Sequence, residues 1–195
     1  MKNYQLFFSL MLAFFLVSAS SCRSDDDGSN SIFFELRHDG SNLTAPTLPL
    51  GFNEFAVRFT PDDQAEVVGG QLERVQVFFA AIPQFVDLVI YRGGTATNPG
   101  SIILEQDVTA NITTTGFNEF LLSSPIPITN EQLWIGVGVE VASSGSRAVG
   151  CDQGPAQPGG DHIFYNTATD WNTFQNASGE SVNWNIRGIV RRPEM

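Results

Sequence analysis

Apolar and polar positions alternate most regularly over residues 131–141, where every second side chain is apolar. This period of two predicts a β-strand, and at about 3.3 Å per residue a strand of this length spans roughly 36 Å, enough to cross a whole sandwich. One face has Leu133, Ile135, Val137, Val139 and Val141. The other face has Trp134 beside Gly136 and Gly138, which leave a shallow groove. We expect a neighbouring aromatic ring to cover the two glycines, although a ligand could bind there instead.

Elsewhere the apolar runs are short and are separated by Gly, Pro, Asn and Asp, which is typical of all-β sandwiches. Further strands are predicted at residues 32–36, 54–60, 72–81, 85–91, 102–108, 117–122, 161–166 and 183–191. No helix of ten residues is convincing after the N-terminal segment. The pattern therefore predicts an antiparallel all-β domain.

One five-residue sequence, Gly-Phe-Asn-Glu-Phe, occurs twice, at residues 51–55 and 116–120. The flanking residues do not match over a longer window, so the repeat is weak support for a duplicated half-domain. We interpret the two copies as turn-to-strand entries with similar conformational needs.

The N-terminal segment has the composition of an export signal. Lys2 is followed by an apolar core at residues 6–17 and then by small residues up to Cys22. This core is too short for a permanent membrane span. Ala19-Ser20-Ser21-Cys22 resembles a bacterial lipobox, which implies lipidation of Cys22 and removal of residues 1–21. Ordinary cleavage after residues 17–19 is the alternative, and it would leave Cys22 free to form a disulfide with Cys151.

Residues 22–31 are polar and acidic, and we expect them to form a flexible tether to the lipid, followed by one domain at residues 32–195. Ser24-Asp25-Asp26 resembles the export signal of surface lipoproteins of the Bacteroidota, which implies an outer-membrane lipoprotein displayed at the cell surface. The alternative is a merely solvating spacer, with a lipoprotein that faces the periplasm.

The net charge of −11 at pH 7 comes from 21 Asp and Glu against ten Lys and Arg. Phosphate binding needs clustered basic side chains, so we predict that nucleic acid is not a partner of this chain. An acidic surface favours solubility and is compatible with cation binding.

Seven segments of the chain occur in a recognisable order, at residues 55–63, 89–94, 104–106, 117–119, 131–136, 151–156 and 183–187. Together they resemble a jelly-roll module found in Bacteroidota surface and secreted proteins. The module is similar to accessory and adhesin domains of secreted peptidases, including those of gingipains. The resemblance implies a jelly-roll-type antiparallel β-sandwich of about 8–10 strands, as known for such all-β modules, with a non-catalytic attachment role.

Catalytic chemistry has little support in the sequence. Cys151 and His162 could pair across a loop rich in glycine and proline, but no cysteine-peptidase signature surrounds them. A glycosidase would need two carboxylates that flank a cleft, and no spacing selects a pair. The candidate carboxylates are Glu54, Asp87, Glu105, Asp107, Glu119, Glu140, Asp152 and Asp161. We therefore predict that the protein is not an enzyme.

Ligand binding is better supported, because aromatic rings beside amides and carboxylates are the side chains that bind sugars. Trp171, flanked by Asp170 and Asn172, is the first candidate, although packing at a corner of the domain would also explain it. Tyr91 and Arg92 at a strand end are the second. No cofactor is predicted, but a structural calcium ion could bind at a glycine-rich loop that Asp152 and Asp161 flank.

Taken together, the sequence predicts a non-catalytic surface lipoprotein that binds or adheres to a protein or glycan partner and meets the membrane only through its N-terminal lipid. A carbohydrate-binding component of a glycan-uptake system is the first alternative. An unrecognised hydrolase is the second.

Overall fold

The structure, a computed structural model, describes residues 31–143 and 145–193. Ten strands are present in this part of the chain, with one short helix, α1 (Phe174–Ser178), and a 3₁₀ turn at Thr109–Asn111. The strands are β1 (Ser31–Leu36), β2 (Gly51–Phe59), β3 (Gln71–Phe79), β4 (Val86–Gly94), β5 (Pro99–Asp107), β6 (Gly116–Pro127), β7 (Leu133–Val141), β8 (His162–Tyr165), β9 (Asn172–Thr173) and β10 (Ile186–Pro193).

The strands form two antiparallel sheets, with the order β1-β10-β3-β6 in one and β5-β4-β7-β2-β8-β9 in the other. Apart from the β4–β5 hairpin, successive strands from β1 to β7 cross from one sheet to the other. This connectivity is that of an eight-stranded jelly roll made of β1–β7 and β10, to which β8 and β9 add two strands beside β2. The predicted all-β sandwich is confirmed.

Strand β7 lies near the middle of the six-stranded sheet, between β4 and β2. The five branched side chains predicted to share a face are all buried between the sheets. The strand begins at Leu133 rather than at Glu131, where we predicted its start. Before the strand, the carbonyl of Glu131 accepts a hydrogen bond from the Gln64 side chain at 2.9 Å.

The two glycines of β7 are covered from the neighbouring strands, as the sequence predicted. A Cβ atom at Gly138 would overlap the ring of Phe52, and a Cβ atom at Gly136 would overlap Glu54 Oε1 and contact the ring of Tyr91. Because glycine has no side chain, these three groups can lie directly on the sheet.

The two Gly-Phe-Asn-Glu-Phe copies have the same local structure. Gly51 and Gly116 have φ values of 96° and 104°, which favour glycine. The Asn53 amide donates to the carbonyls of Pro49 and Gly51, and the Asn118 amide donates to those of Thr114 and Gly116. Each copy begins a strand, β2 in the six-stranded sheet and β6 in the four-stranded sheet. The interpretation as two similar strand entries is confirmed.

The sequence predicted neither the strand β9 nor the helix α1. Strand β9 has two residues, which is too short for a detectable alternation. Helix α1 begins after Thr173, whose hydroxyl accepts a hydrogen bond from the Asn176 amide, and it ends at Gly179 with φ of 83°. These capping residues were the available signal for the helix.

Within the described residues, no helix combines the length and apolar character that a membrane crossing requires. The predictions for residues 1–21, for Cys22 and for most of the tether at 22–31 concern residues outside the described range.

Candidate functional site

A second, smaller apolar cluster lies on the outer face of the six-stranded sheet. It consists of Ala56, Val89, Tyr91 and Trp134, with Trp171 packed against them, and we call it the outer cluster. Trp134 is 0% exposed although it points away from the main core. The centroid of the Trp171 ring lies 6.2 Å from that of Trp134 and 6.4 Å from that of Tyr91. A sheet face that would otherwise meet water is therefore covered by aromatic rings.

Glu54 of β2 is the unusual member of this face, because its carboxyl is buried beside the rings and only 7% of the residue is exposed. The Tyr91 hydroxyl donates a hydrogen bond to Glu54 Oε1 at 2.7 Å. The other oxygen, Oε2, has no hydrogen-bond partner among the described residues and is not fully shielded from solvent. Burial raises the pKa of Glu54 to about 7, despite the opposing effect of the Tyr91 hydrogen bond.

Two negatively charged side chains act on Glu54. Asp87 on β4 and Glu105 on β5 raise its pKa further by electrostatic repulsion. Burial, Glu105 and Asp107 raise the pKa of Asp87 as well. This end of the six-stranded sheet therefore combines aromatic rings with a concentration of carboxylates and a negative potential.

The opposite side of the outer cluster holds nitrogen donors. The His162 ring lies 4.5 Å from the Trp134 ring, and the Arg58 guanidinium lies 5.9 Å from the same ring. Burial, with smaller effects from Arg58 and His38, lowers the pKa of His162 to about 4, so the imidazole is neutral at pH 7. Neither His162 ring nitrogen nor Trp134 Nε1 has a hydrogen-bond partner among the described residues. Arg58 donates to Gln132 Oε1 at 2.7 Å.

Of the ligand residues predicted from the sequence, the structure brings together Trp171 and Tyr91. Trp171 is half-buried against the outer cluster, while Asp170 and Asn172 on either side of it are exposed. Arg92 does not join them, because adjacent residues of a strand point to opposite faces. It donates instead to the carbonyl of Pro127 at 2.7 Å.

The two aspartates predicted to flank a calcium site bind backbone amides in this structure. Asp152 accepts hydrogen bonds from the amides of Gly40, Gly154 and Asn183. Burial alone would raise its pKa, but these bonds and those from the Asn183 side chain together hold the pKa of Asp152 below its usual value. Asp161 accepts a bond from the Gln175 amide, and burial raises its pKa.

The described residues contain no group of three or more His, Cys, Asp or Glu side chains that could hold a metal ion. Calcium at Asp152 and Asp161, where backbone carbonyls would have to complete the ligand set, stays a prediction.

Cys151 and His162, the nucleophile and base considered above, lie in different parts of the domain. Cys151 belongs to the main core between the sheets, whereas the His162 ring packs on Trp134 in the outer cluster. Burial raises the pKa of the Cys151 thiol to about 11, which keeps it protonated and unreactive at pH 7. Cys151 is buried and free, as expected for a small apolar residue.

Glu54 was one of eight carboxylates that the sequence offered, and nothing in the sequence distinguished it. Its special position depends on register. Glu54 pairs with Gly138 and neighbours Gly136 on the adjacent strand, so its side chain lies flat on the sheet and reaches Tyr91 on the strand beyond. Long-range pairing of this kind is not encoded in local periodicity.

No family model and no curated protein matches this chain. Two solved structures of one protein are similar in fold. The clostridial cysteine protease Cwp84 after propeptide cleavage has a TM-score of 0.57 at 12% identity, over 84% of this chain and 40% of that chain. The cysteine protease and lectin-like domains of Cwp84, a surface layer associated protein of Clostridium difficile, have a TM-score of 0.56 at 12% identity, over 84% and 36%. The likeness shows the fold alone, and this chain spans well under half of those chains.

Proposed function

We propose that this protein is a non-catalytic binding module that holds a protein or glycan partner on the outer face of its six-stranded sheet. The observation that supports this most directly is the outer cluster, in which Tyr91 packs against the partly exposed Trp171 and also donates a hydrogen bond to the carboxyl of Glu54. Partly exposed aromatic side chains with a few polar groups are typical of binding sites. The similar part of Cwp84 is its lectin-like domain rather than its catalytic domain, which agrees with a binding role.

The cellular setting is proposed on the same basis. Lipidation at Cys22 and a tether at residues 22–31 would display the module outside the outer membrane of a member of the Bacteroidota. The description of Cwp84 as surface layer associated supports a position at the cell surface.

A carbohydrate-binding component of a glycan-uptake system is the second candidate. The lectin-like neighbour and the half-buried Trp171 ring favour it, because sugars stack on such rings. A hydrolase is the third candidate. Its support is the raised pKa of Glu54, a property that catalytic acids share with some structural carboxyls.

The test is a binding screen of the full chain, purified in mild detergent, against arrays of cell-surface proteins and polysaccharides. We expect a partner whose binding is lost in Trp171→Ala and retained in Leu121→Ala. Leu121 is the matched control, since it is 69% exposed on the four-stranded sheet. A partner that both variants bind equally well would contradict the proposed face, and turnover of an array glycan would favour the hydrolase.

A further inference from the structure

The chain contains an internal reference for Glu54. Glu119 occupies the same place in the second Gly-Phe-Asn-Glu-Phe copy, and both glutamates point outward from strands with matching local structure. The two glutamates differ in their neighbours. Glu119 therefore shows how a glutamate at this position is bound when a cation pairs with it.

Glu119 has a complete set of partners. Arg74 donates to Glu119 Oε1 and Gln76 donates to Oε2, each at 2.8 Å. The Arg74 guanidinium also lies 4.7 Å from the Phe33 ring, so it is held between a carboxylate and an aromatic face. The hydrogen bonds from Arg74 and Gln76 lower the pKa of Glu119.

Glu54 has the carboxylate and the rings of this arrangement without the cation. No ion pair to Glu54 is formed within residues 31–143 and 145–193. The charged groups that face it from β4 and β5 are Asp87 and Glu105, both acidic. On its own strand Arg58 is bonded to Gln132, and on β8 the His162 imidazole is neutral at pH 7. A negative charge buried without a counter-charge is unfavourable.

The hydrogen bond from Tyr91 does not require a charged side chain at position 54. A glutamine at position 54 could accept the Tyr91 hydrogen bond with its carbonyl oxygen and would have no charge to bury. Glu54 Oε2 accepts no hydrogen bond from a described residue, and the 7% of this residue that is exposed leaves a narrow approach for a donor from outside.

We propose that an arginine side chain of a partner protein binds Glu54 at Oε2, against the aromatic rings of this face, as Arg74 binds Glu119 against Phe33. The inference rests on the proposed function, since it assigns a ligand class to the same face. The acidic neighbours Asp87 and Glu105 attract the same guanidinium and disfavour an anionic ligand.

The experiment measures binding of a short glycine–arginine peptide to the full chain by calorimetry, and compares it with a peptide in which citrulline replaces arginine. Citrulline has nearly the same shape without the charge. We expect the arginine peptide to bind at least about tenfold more tightly, as charge pairs at partly buried sites do. Glu54→Gln should abolish this preference, and Glu119→Gln, the matched control, should retain it.

The pH dependence provides a second readout. Guanidinium stays charged at all working pH values, whereas Glu54 must ionise to bind it. Affinity for the arginine peptide should therefore rise between about pH 5.5 and pH 8.5 in the wild type and should stay nearly constant in Glu54→Gln.

Equal affinity for the arginine and citrulline peptides, or an unchanged preference in Glu54→Gln, would overturn the inference. If Trp171→Ala nonetheless loses binding to a partner found on the arrays, the proposed binding face stands and only the ligand class is wrong. Tighter binding of a cationic amino-sugar polymer than of the arginine peptide would show that the cation comes from a glycan and not from a partner protein.

Discussion

The outer faces of the two sheets place the same five-residue sequence in opposite electrostatic settings. On the four-stranded sheet Glu119 is paired with Arg74, and the ring of Phe117 in the same copy lies 4.4 Å from the Arg187 guanidinium. On the six-stranded sheet Tyr91 is the one described residue that bonds to the Glu54 carboxyl, which faces further carboxylates. The pKa of Glu119 is lowered and that of Glu54 is raised. Identical local sequence therefore determines backbone geometry, while the neighbouring strands determine the chemistry of the side chain.

The two faces also differ in what they bury. The four-stranded sheet exposes Phe33, Phe117 and Leu121, with arginine side chains over both phenylalanine rings. The six-stranded sheet completely buries Trp134 outside the main core. One face is built from surface ion pairs, and the other has a small apolar core of its own.

The largest expected effect concerns this small core. Trp134→Ala should reduce the free energy of unfolding by about 3–5 kcal/mol, because it leaves a cavity under Trp171 and next to His162. Leu121→Ala on the other face should change it by less than about 0.5 kcal/mol, since that side chain is exposed. Urea denaturation followed by fluorescence would measure both, and similar losses in the two variants would contradict the contrast.

The next effect is the pH dependence of Glu54. Its pKa is raised from 4.5 to about 7 by folding, so the stabilising effect of its proton is complete below pH 4.5 and is lost as the pH rises to 7. Relative to the wild type, Glu54→Gln should therefore gain about 3 kcal/mol in unfolding free energy between these pH values. Urea denaturation of both proteins at a series of pH values would show this shift, and a constant difference would show that the charge is not buried.

His162 should partly mask this effect in the wild type. Its pKa falls from 6.5 to about 4 on folding, so it stabilises the protein above pH 6.5 and this stability is lost as the pH falls toward 4. Between pH 4.5 and 6.5, His162 makes the free energy of unfolding rise with pH, whereas Glu54 makes it fall. In Glu54→Gln the free energy of unfolding should therefore rise clearly with pH over this range. A flat profile in Glu54→Gln would contradict the burial of a neutral imidazole.

The smallest effect is expected at the reference glutamate. Glu119→Gln removes a partly exposed ion pair with Arg74 and should cost less than about 1 kcal/mol at pH 7. Since folding lowers the pKa of Glu119, this contribution exists above its usual pKa of 4.5 and disappears as the pH falls below it. If Glu119→Gln changed the free energy of unfolding by about 3 kcal/mol, as expected for Glu54→Gln, the two glutamates would not differ in the way described.

The fold could be predicted from the sequence because its cause is local. The period of two in β7, the prolines and glycines between strands and the repeated turn sequence each act over a few residues. The site could be predicted only in part. Tyr91 and Trp171 were both named, but their contact depends on β8 and β9 adding to the edge of β2, and the two residues of β9 leave no pattern. Glu54 was hidden for the same reason, since its burial depends on glycines of another strand.

The pairing of β1 with β10 brings Ser31 opposite Pro193, so the described chain starts and finishes at one corner of the sandwich. For protein engineering this means that a short linker could join residues 31 and 193 without crossing the fold, and new ends could be opened in the irregular segment after β7. Such a circular permutant would present the Trp171 face unchanged while it is attached to a support from a different side. The position of the attachment point can thus be changed without changing the face that carries Trp171.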